Sequence, residues 1–153
     1  MGKFESLTPV QLDATQSELV ASARSALERA YAPYSGVRVG AALMTHQGRI
    51  ISAANIENAA YGSTLCAERA ALAAAYASGE RDFTALAIVF GEGSRIRDML
   101  AAPCGACRQM LHEAAQVSQT PMQILLSDPE GKRFVVTDMD ALLPMAFGPG
   151  HLG

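Results

Sequence analysis

All three cysteines of the chain fall in two short motifs, Cys66-Ala67-Glu68-Arg69 and Pro103-Cys104-Gly105-Ala106-Cys107. Taken alone, a C-x-x-C pair is a redox pair, a metal knuckle or chance, and a single free cysteine is often a small buried apolar residue. That bland account must explain why no cysteine occurs elsewhere and why both motifs open predicted helices. Helix N-termini favour thiolates through their unpaired N–H groups and the helix dipole. Two such helices meeting at these ends could present three sulfurs to one Zn²⁺ and leave its fourth position to water, the pattern of a catalytic site. A closed structural site would need a fourth ligand from His46, His112 or His151, none of which stands at a customary short spacing from a cysteine.

Glu68 lies two residues beyond Cys66. That spacing holds a carboxylate beside the metal without making it a ligand, where it can take a proton from bound water and hand it to a ring nitrogen or a leaving group. Three thiolates outweigh the charge of Zn²⁺ by one, which weakens the pull on that water's proton; Arg69 and the two helix N-termini are the available compensation. The alternative is that Glu68 and Arg69 form an ordinary charged first turn.

These residues need a scaffold. Leu19, Ala23, Ala26, Leu27 and Ala30 repeat at helical spacing behind an N-terminal arm, with Thr8-Pro9 as lead-in. Pro33 disfavours continuation of that helix, Tyr34-Ser35-Gly36 reads as a turn, and Val37 to Leu43 with Ile50 to Ala54 reads as a hairpin about His46-Gln47-Gly48-Arg49. After a loop at Asn58 to Ser63, Ser63 or Thr64 can cap a helix over about Leu65 to Ala77. Its run of alanines gives a slim profile suited to the interior. Strands follow at Leu86 to Phe90, Met122 to Leu126 and Phe134 to Val136. A break at Gly91 to Ser94, a short helix from Pro103-Cys104 and a last helix near Asp140 to Leu143 complete the order. Alternating helices and strands predict an α/β layer on a mixed sheet.

The 153 residues fit one domain spanning 1–153, with no repeat or low-complexity linker. Half the residues are apolar and the net charge is -3, which excludes a disordered chain and a polybasic nucleic-acid tail. An odd cysteine count without a signal-peptide pattern points to a reducing, cytoplasmic setting. No apolar run approaches the ~20 residues that cross a bilayer.

The ordered series of motifs resembles the small, all-cysteine, zinc-dependent cytidine deaminases, which act on free nucleosides. The series comprises Tyr34-Ser35, Val39-Gly40-Ala41-Ala42-Leu43, Asn55-Ile56-Glu57-Asn58-Ala59, Tyr61-Gly62, Cys66-Ala67-Glu68-Arg69 and Pro103 to Gln109. It ends at Leu142-Leu143-Pro144 and Phe147-Gly148-Pro149. It also carries the x-E…P-C-x-x-C order of zinc nucleobase deaminases. The resemblance implies a three-layer α/β/α sandwich about a five-stranded mixed sheet, assembled as a homotetramer with shared active sites. It implies zinc ligands at Cys66, Cys104 and Cys107, a proton shuttle at Glu68, and Arg69 supporting the ligand sulfurs.

Asn55 and Glu57 match the pair that hydrogen-bonds the ribose 3'-hydroxyl; on the residues alone, a solvated surface loop is equally good. The Ala67 N–H corresponds to the contact with pyrimidine O2, and the Ala102 carbonyl to the acceptor for the exocyclic amine. Ala59 and Tyr61 resemble positions on the 5'-hydroxyl side of a neighbour's site. Phe147 resembles an aromatic that crosses an interface to stack on the base, although such a residue otherwise just tucks a tail onto the core. Val37 departs from the pattern, which usually has an aromatic there, and this bears on substrate preference. The expected reaction is deamination of cytidine and 2'-deoxycytidine, with no polymeric nucleic acid and no membrane as partner. The alternatives are a deaminase of a modified cytidine or nucleoside antibiotic, or a non-catalytic zinc-stabilised binding module.

Overall fold

The computed structural model describes residues 3–91, 100, 102–118 and 120–153; the expected break at Glu92 to Ser94 lies outside them. Among the described residues six strands form one sheet: β1 Phe4–Leu7, β2 Val39–Thr45, β3 Ile50–Ala54, β4 Phe83–Phe90, β5 Gln123–Ser127 and β6 Phe134–Thr137. Their spatial order is β1-β6-β5-β4-β2-β3. Among the described strands only β4 and β5 run parallel, and the helix α3 Gly105–Val117 lies in the connection between them, as a parallel pair requires.

Alternate residues of the central strands face two separate apolar clusters. Ala41, Leu43, Leu86, Ile88, Ile124 and Leu126 share one with residues of α2 (Ala67–Ala77), α3 and α4 (Met139–Leu142). Ala42, Met44, Ala85, Ala87, Val89 and Leu125 share the other with Leu19, Val20 and Ala23 of α1 (Ala14–Ala26). The layers are therefore one helix, the sheet, and the remaining helices. Both faces of β2 are covered, so all seven of its residues are buried and its hydropathy cannot alternate. A Cβ on Gly40 would stand 1.9 Å from the Ala23 carbonyl oxygen; only glycine lets α1 approach β2 this closely.

Several expectations are corrected. The sheet has six strands rather than five, because the N-terminal arm supplies β1, paired antiparallel with β6 from Phe4↔Thr137 to Leu7↔Phe134. Phe4, Glu5 and Ser6 are exposed, so this strand forms by backbone pairing and carries little burial pattern. Helix α1 starts after Asp13, whose side chain accepts from Gln16 N while Gln16 reciprocates in a capping box. Helix α2 is capped by Cys66 rather than Ser63 or Thr64. It buries one face instead of lying in the interior, with Ala73, Ala74 and Ala77 exposed. Helix α3 has 13 residues and is not short. Val37 precedes β2 rather than belonging to it.

Candidate active site

The two predicted helix starts meet. Cys66 is the N-cap of α2 and Cys104 the N-cap of α3, and neither side chain makes a capping hydrogen bond. An N-cap normally carries an oxygen that satisfies an unpaired N–H; leaving the sulfurs uncommitted frees them for other work. Cys107, within the first turn of α3, supplies the third. Its Sγ is 3.5 Å from that of Cys104, which is 4.0 Å from that of Cys66, and all three lie within 4.8 Å of one another. Thiolates about 2.3 Å from a tetrahedral Zn²⁺ stand about 3.8 Å apart, so the trio fits one zinc ion. Among the described residues no histidine or acidic residue joins this group. Cys107 is buried, Cys66 half-buried and Cys104 exposed, which opens the site on the Cys104 side.

Charge is arranged around the sulfurs. Hydrogen bonding from Cys107, aided by Arg69, draws the Cys66 thiol down to about 5, while the same pairing and burial push Cys107 up. Arg69 Nη2 donates to the Thr64 carbonyl at 2.9 Å and lies 3.8 Å from Cys66 Sγ. Glu68 is only 4% exposed. Burial raises its carboxyl above the usual range, and the Cys66 charge adds to the rise. A buried carboxyl beside thiolates holds a proton more readily than a solvated one, which suits a proton shuttle.

A second cluster forms where the chain enters β2. Asn55 is buried; its Oδ1 accepts from Val39 N at 2.9 Å and its Nδ2 donates to the Val37 carbonyl at 2.8 Å. The side chain thus replaces a strand partner just where β2 begins. Glu57 Oε2 accepts from Tyr34 N at 2.9 Å and Ser35 N at 3.2 Å, and its Oε1 accepts from the Ser35 hydroxyl. These donors, led by the hydroxyl, hold the Glu57 carboxyl below its ordinary range. Val37 is half-buried and packs on the same apolar cluster as α2 and α3.

Ala67 is the first residue of α2 and fully buried, with an N–H that has no partner within the helix. Ala102 is exposed and precedes buried Pro103. Ala59 and Tyr61 are exposed, Tyr61 at 76%, with its ring edge-on to Tyr34 at 6.2 Å. Phe147 is 57% exposed and stacks on His151 at 5.1 Å. Among the described residues, the ring contacts of Tyr61 and Phe147 are with Tyr34 and His151 and not with the cysteines.

Sequence reasoning assigned no role to Arg108 or Gln109. Arg108 Nε donates to the Pro103 carbonyl at 2.7 Å and Nη1 to the Leu142 carbonyl at 2.8 Å. Gln109 Nε2 donates to the Phe147 carbonyl at 2.9 Å. Together they tie the C-terminal segment to the sulfur-bearing start of α3. Their place directly after Cys107 was the one available signal.

Three sulfurs at two helix N-termini, backed by a buried carboxyl on an α/β/α scaffold, define a zinc-binding deaminase-type protein. Residues 13–123 match the family described as the cytidine and deoxycytidylate deaminase zinc-binding region. A cytidine deaminase of Halalkalibacterium halodurans is 43% identical over 129 residues, 84% of this chain and 91% of that protein. The crystal structure of cytidine deaminase from Burkholderia pseudomallei matches with a TM-score of 0.75 at 42% identity, over 85% of this chain and 97% of that one. That of Mycobacterium tuberculosis matches at 0.69 and 38%, over 89% and 99%. The chain belongs to the cytidine and deoxycytidylate deaminase zinc-binding family.

Proposed function

We propose that this protein hydrolyses free cytidine and 2'-deoxycytidine to uridine and 2'-deoxyuridine, releasing ammonia. The observation that carries the reading is Glu68, buried in the first turn of α2 immediately after the Cys66 cap. Cys66, Cys104 and Cys107 would hold one Zn²⁺, which would supply the Lewis acidity that makes a water reactive near neutral pH. Glu68 takes one proton of the attacking water and delivers it to N3 of the base, then moves the remaining proton of the hydroxyl added at C4 to the amine, which leaves as ammonia while C4=O forms. Arg69 offsets the excess negative charge of the sulfurs. The Ala67 N–H holds the pyrimidine O2, and the Ala102 carbonyl accepts from the amine and so orients C4. Asn55 and Glu57 take the 3'-hydroxyl of the sugar.

The chain acts as a single domain, and its assembly is a homotetramer. Exposed aromatics, among them Tyr34, Tyr61 and Phe147, and an apolar groove lined by Leu72, Ala73, Tyr76 and Met110 between α2 and α3 support that assembly. In it, Ala59 and Tyr61 reach the 5' side of a neighbour's nucleoside, and Phe147 stacks on a neighbour's base. Reduced thiols in the site suit the cytoplasm. Among the described residues no helix is long and apolar enough to cross a membrane.

An ultraviolet assay against a nucleoside panel tests the reading. Cytidine should be deaminated at a rate that changes little with salt, and chelation should abolish turnover. A net charge of -3 offers no stripe to track phosphates, whose binding would weaken steeply as salt rises. Salt-sensitive deamination of an oligonucleotide, faster than that of cytidine, would reverse the assignment.

Val37 favours a second reading, turnover of a modified cytidine, because its small side chain leaves room beside the base. Val37→Phe should then raise kcat/KM for cytidine about fivefold relative to a 5-substituted analogue, the equivalent of ~1 kcal/mol of ring contact. Val37 already packs on the α2/α3 cluster, so an overpacking cost of ~1–3 kcal/mol is read separately as a fall in melting temperature. An equal response of both substrates in a stable variant would end the modified-base reading.

A further inference from the structure

The turn Tyr34-Ser35-Gly36 does more than connect α1 to β2. Gly36 adopts φ +70°, and the tight turn it permits aims the Tyr34 and Ser35 N–H groups at one oxygen of Glu57. An ionised carboxylate offers about four acceptor sites, two on each oxygen. The two N–H groups fill Oε2, and the Ser35 hydroxyl takes one place on Oε1, so a single acceptor site remains. The same hydroxyl accepts from Val37 N at 3.0 Å, which fixes its proton toward Glu57.

Asn55 is constrained by Val37 and Val39, farther along the same segment. Its Oδ1 is engaged by Val39 N and one of its two amide hydrogens by the Val37 carbonyl, leaving one N–H to donate. One hydroxyl gives one hydrogen bond and can take one. The last site on Glu57 and the last N–H on Asn55 match that requirement.

We propose that Ser35 is a positioning residue for the nucleoside: its hydroxyl and N–H lock the Glu57 carboxylate so that it takes one sugar hydroxyl. The inference rests on the reading of Glu57 as a sugar contact. Without the Ser35 hydroxyl, Oε1 has two open sites, and the carboxylate can rotate and hydrate instead of waiting in the bound geometry. The cost falls on substrates that carry the hydroxyl and spares those that lack it.

Steady-state kinetics of the zinc-loaded enzyme separate these effects, using cytidine and 2',3'-dideoxycytidine with Ser35→Ala, Ser35→Thr and Glu57→Gln. Ser35→Ala should raise KM for cytidine about tenfold, the worth of one charge-assisted hydrogen bond. It should leave kcat for cytidine and KM for the dideoxynucleoside within about twofold, and Ser35→Thr, which keeps the hydroxyl, should restore KM. A Ser35→Ala enzyme with unchanged KM for cytidine, or with equal losses on both substrates, overturns the proposal, as does a failure of threonine to rescue. If Glu57→Gln leaves KM for cytidine unchanged, the sugar reading itself falls and Ser35 with it. If Glu57→Gln weakens cytidine while Ser35→Ala does not, only the role of Ser35 is refuted.

Discussion

Glu68→Gln should lower kcat for cytidine by at least ~10²–10⁴-fold, the usual contribution of a general acid–base group, while the protein keeps one zinc per chain. The loss belongs at the upper end, because the proposed reaction asks a single carboxyl to move protons at the water, at N3 and at the leaving amine. Gln has the same shape but can neither take nor deliver a proton at these sites. The variant also carries a stability signature. Burial raises the Glu68 carboxyl, so the folded protein holds that proton more tightly than the unfolded chain. Stability therefore falls as pH rises from the unfolded carboxyl's range through the folded one. The amide escapes this cost, and in the zinc-free proteins Glu68→Gln should unfold at a temperature no lower than the parent above that window. Near-parental turnover with full zinc would eliminate Glu68 as the shuttle, whereas loss of zinc would move its role to the metal.

Removal of a sulfur should act through the metal and through stability together. Cys66→Ala is expected to reduce zinc, measured by elemental analysis, from one per chain to a small fraction, and to abolish turnover. The Cys66 side chain makes no capping hydrogen bond to α2, so the substitution sacrifices little helix capping and its effect on unfolding reports the ion. A metal present at a thousand times its dissociation constant stabilises by about 4 kcal/mol. At roughly 2–4 °C per kcal/mol for a domain near this size, the melting temperature should drop by about 10 °C. Chelation of the parent should bring it down to the same value and leave the variant unmoved. Full zinc occupancy in Cys66→Ala would dismantle the three-sulfur site.

The metal-binding residues were legible in the linear chain because each half of the centre is local. Cys66 and Glu68 share the first turn of one helix, Cys104 and Cys107 share that of another, and the strand and helix patterns around them follow from hydropathy period and turn chemistry. Folding had only to join the two halves, 38 residues apart between Cys66 and Cys104. The helical stripe of α1 and the β2–β3 hairpin were legible for the same reason: their signals repeat within a few residues.

What tertiary structure alone decided lacks any such period. Strand β1 exists because its backbone pairs with β6, more than 120 residues away, and its exposed side chains record nothing of that pairing. The alanines of α2 read alike in sequence, yet packing on the sheet buries Ala70, Ala71 and Ala75 and leaves Ala73, Ala74 and Ala77 outside. Asn55 and Glu57 could be named from a resemblance, but not the backbone groups of Val37, Val39 and Tyr34 that occupy them. Nor could the contact of Ser35, a residue of the same series of motifs, with Glu57 across 22 residues. Side-chain-to-backbone bonds between distant segments depend on where the chain returns, and a turn, a strand entry and a loop carry no mark of that in their composition.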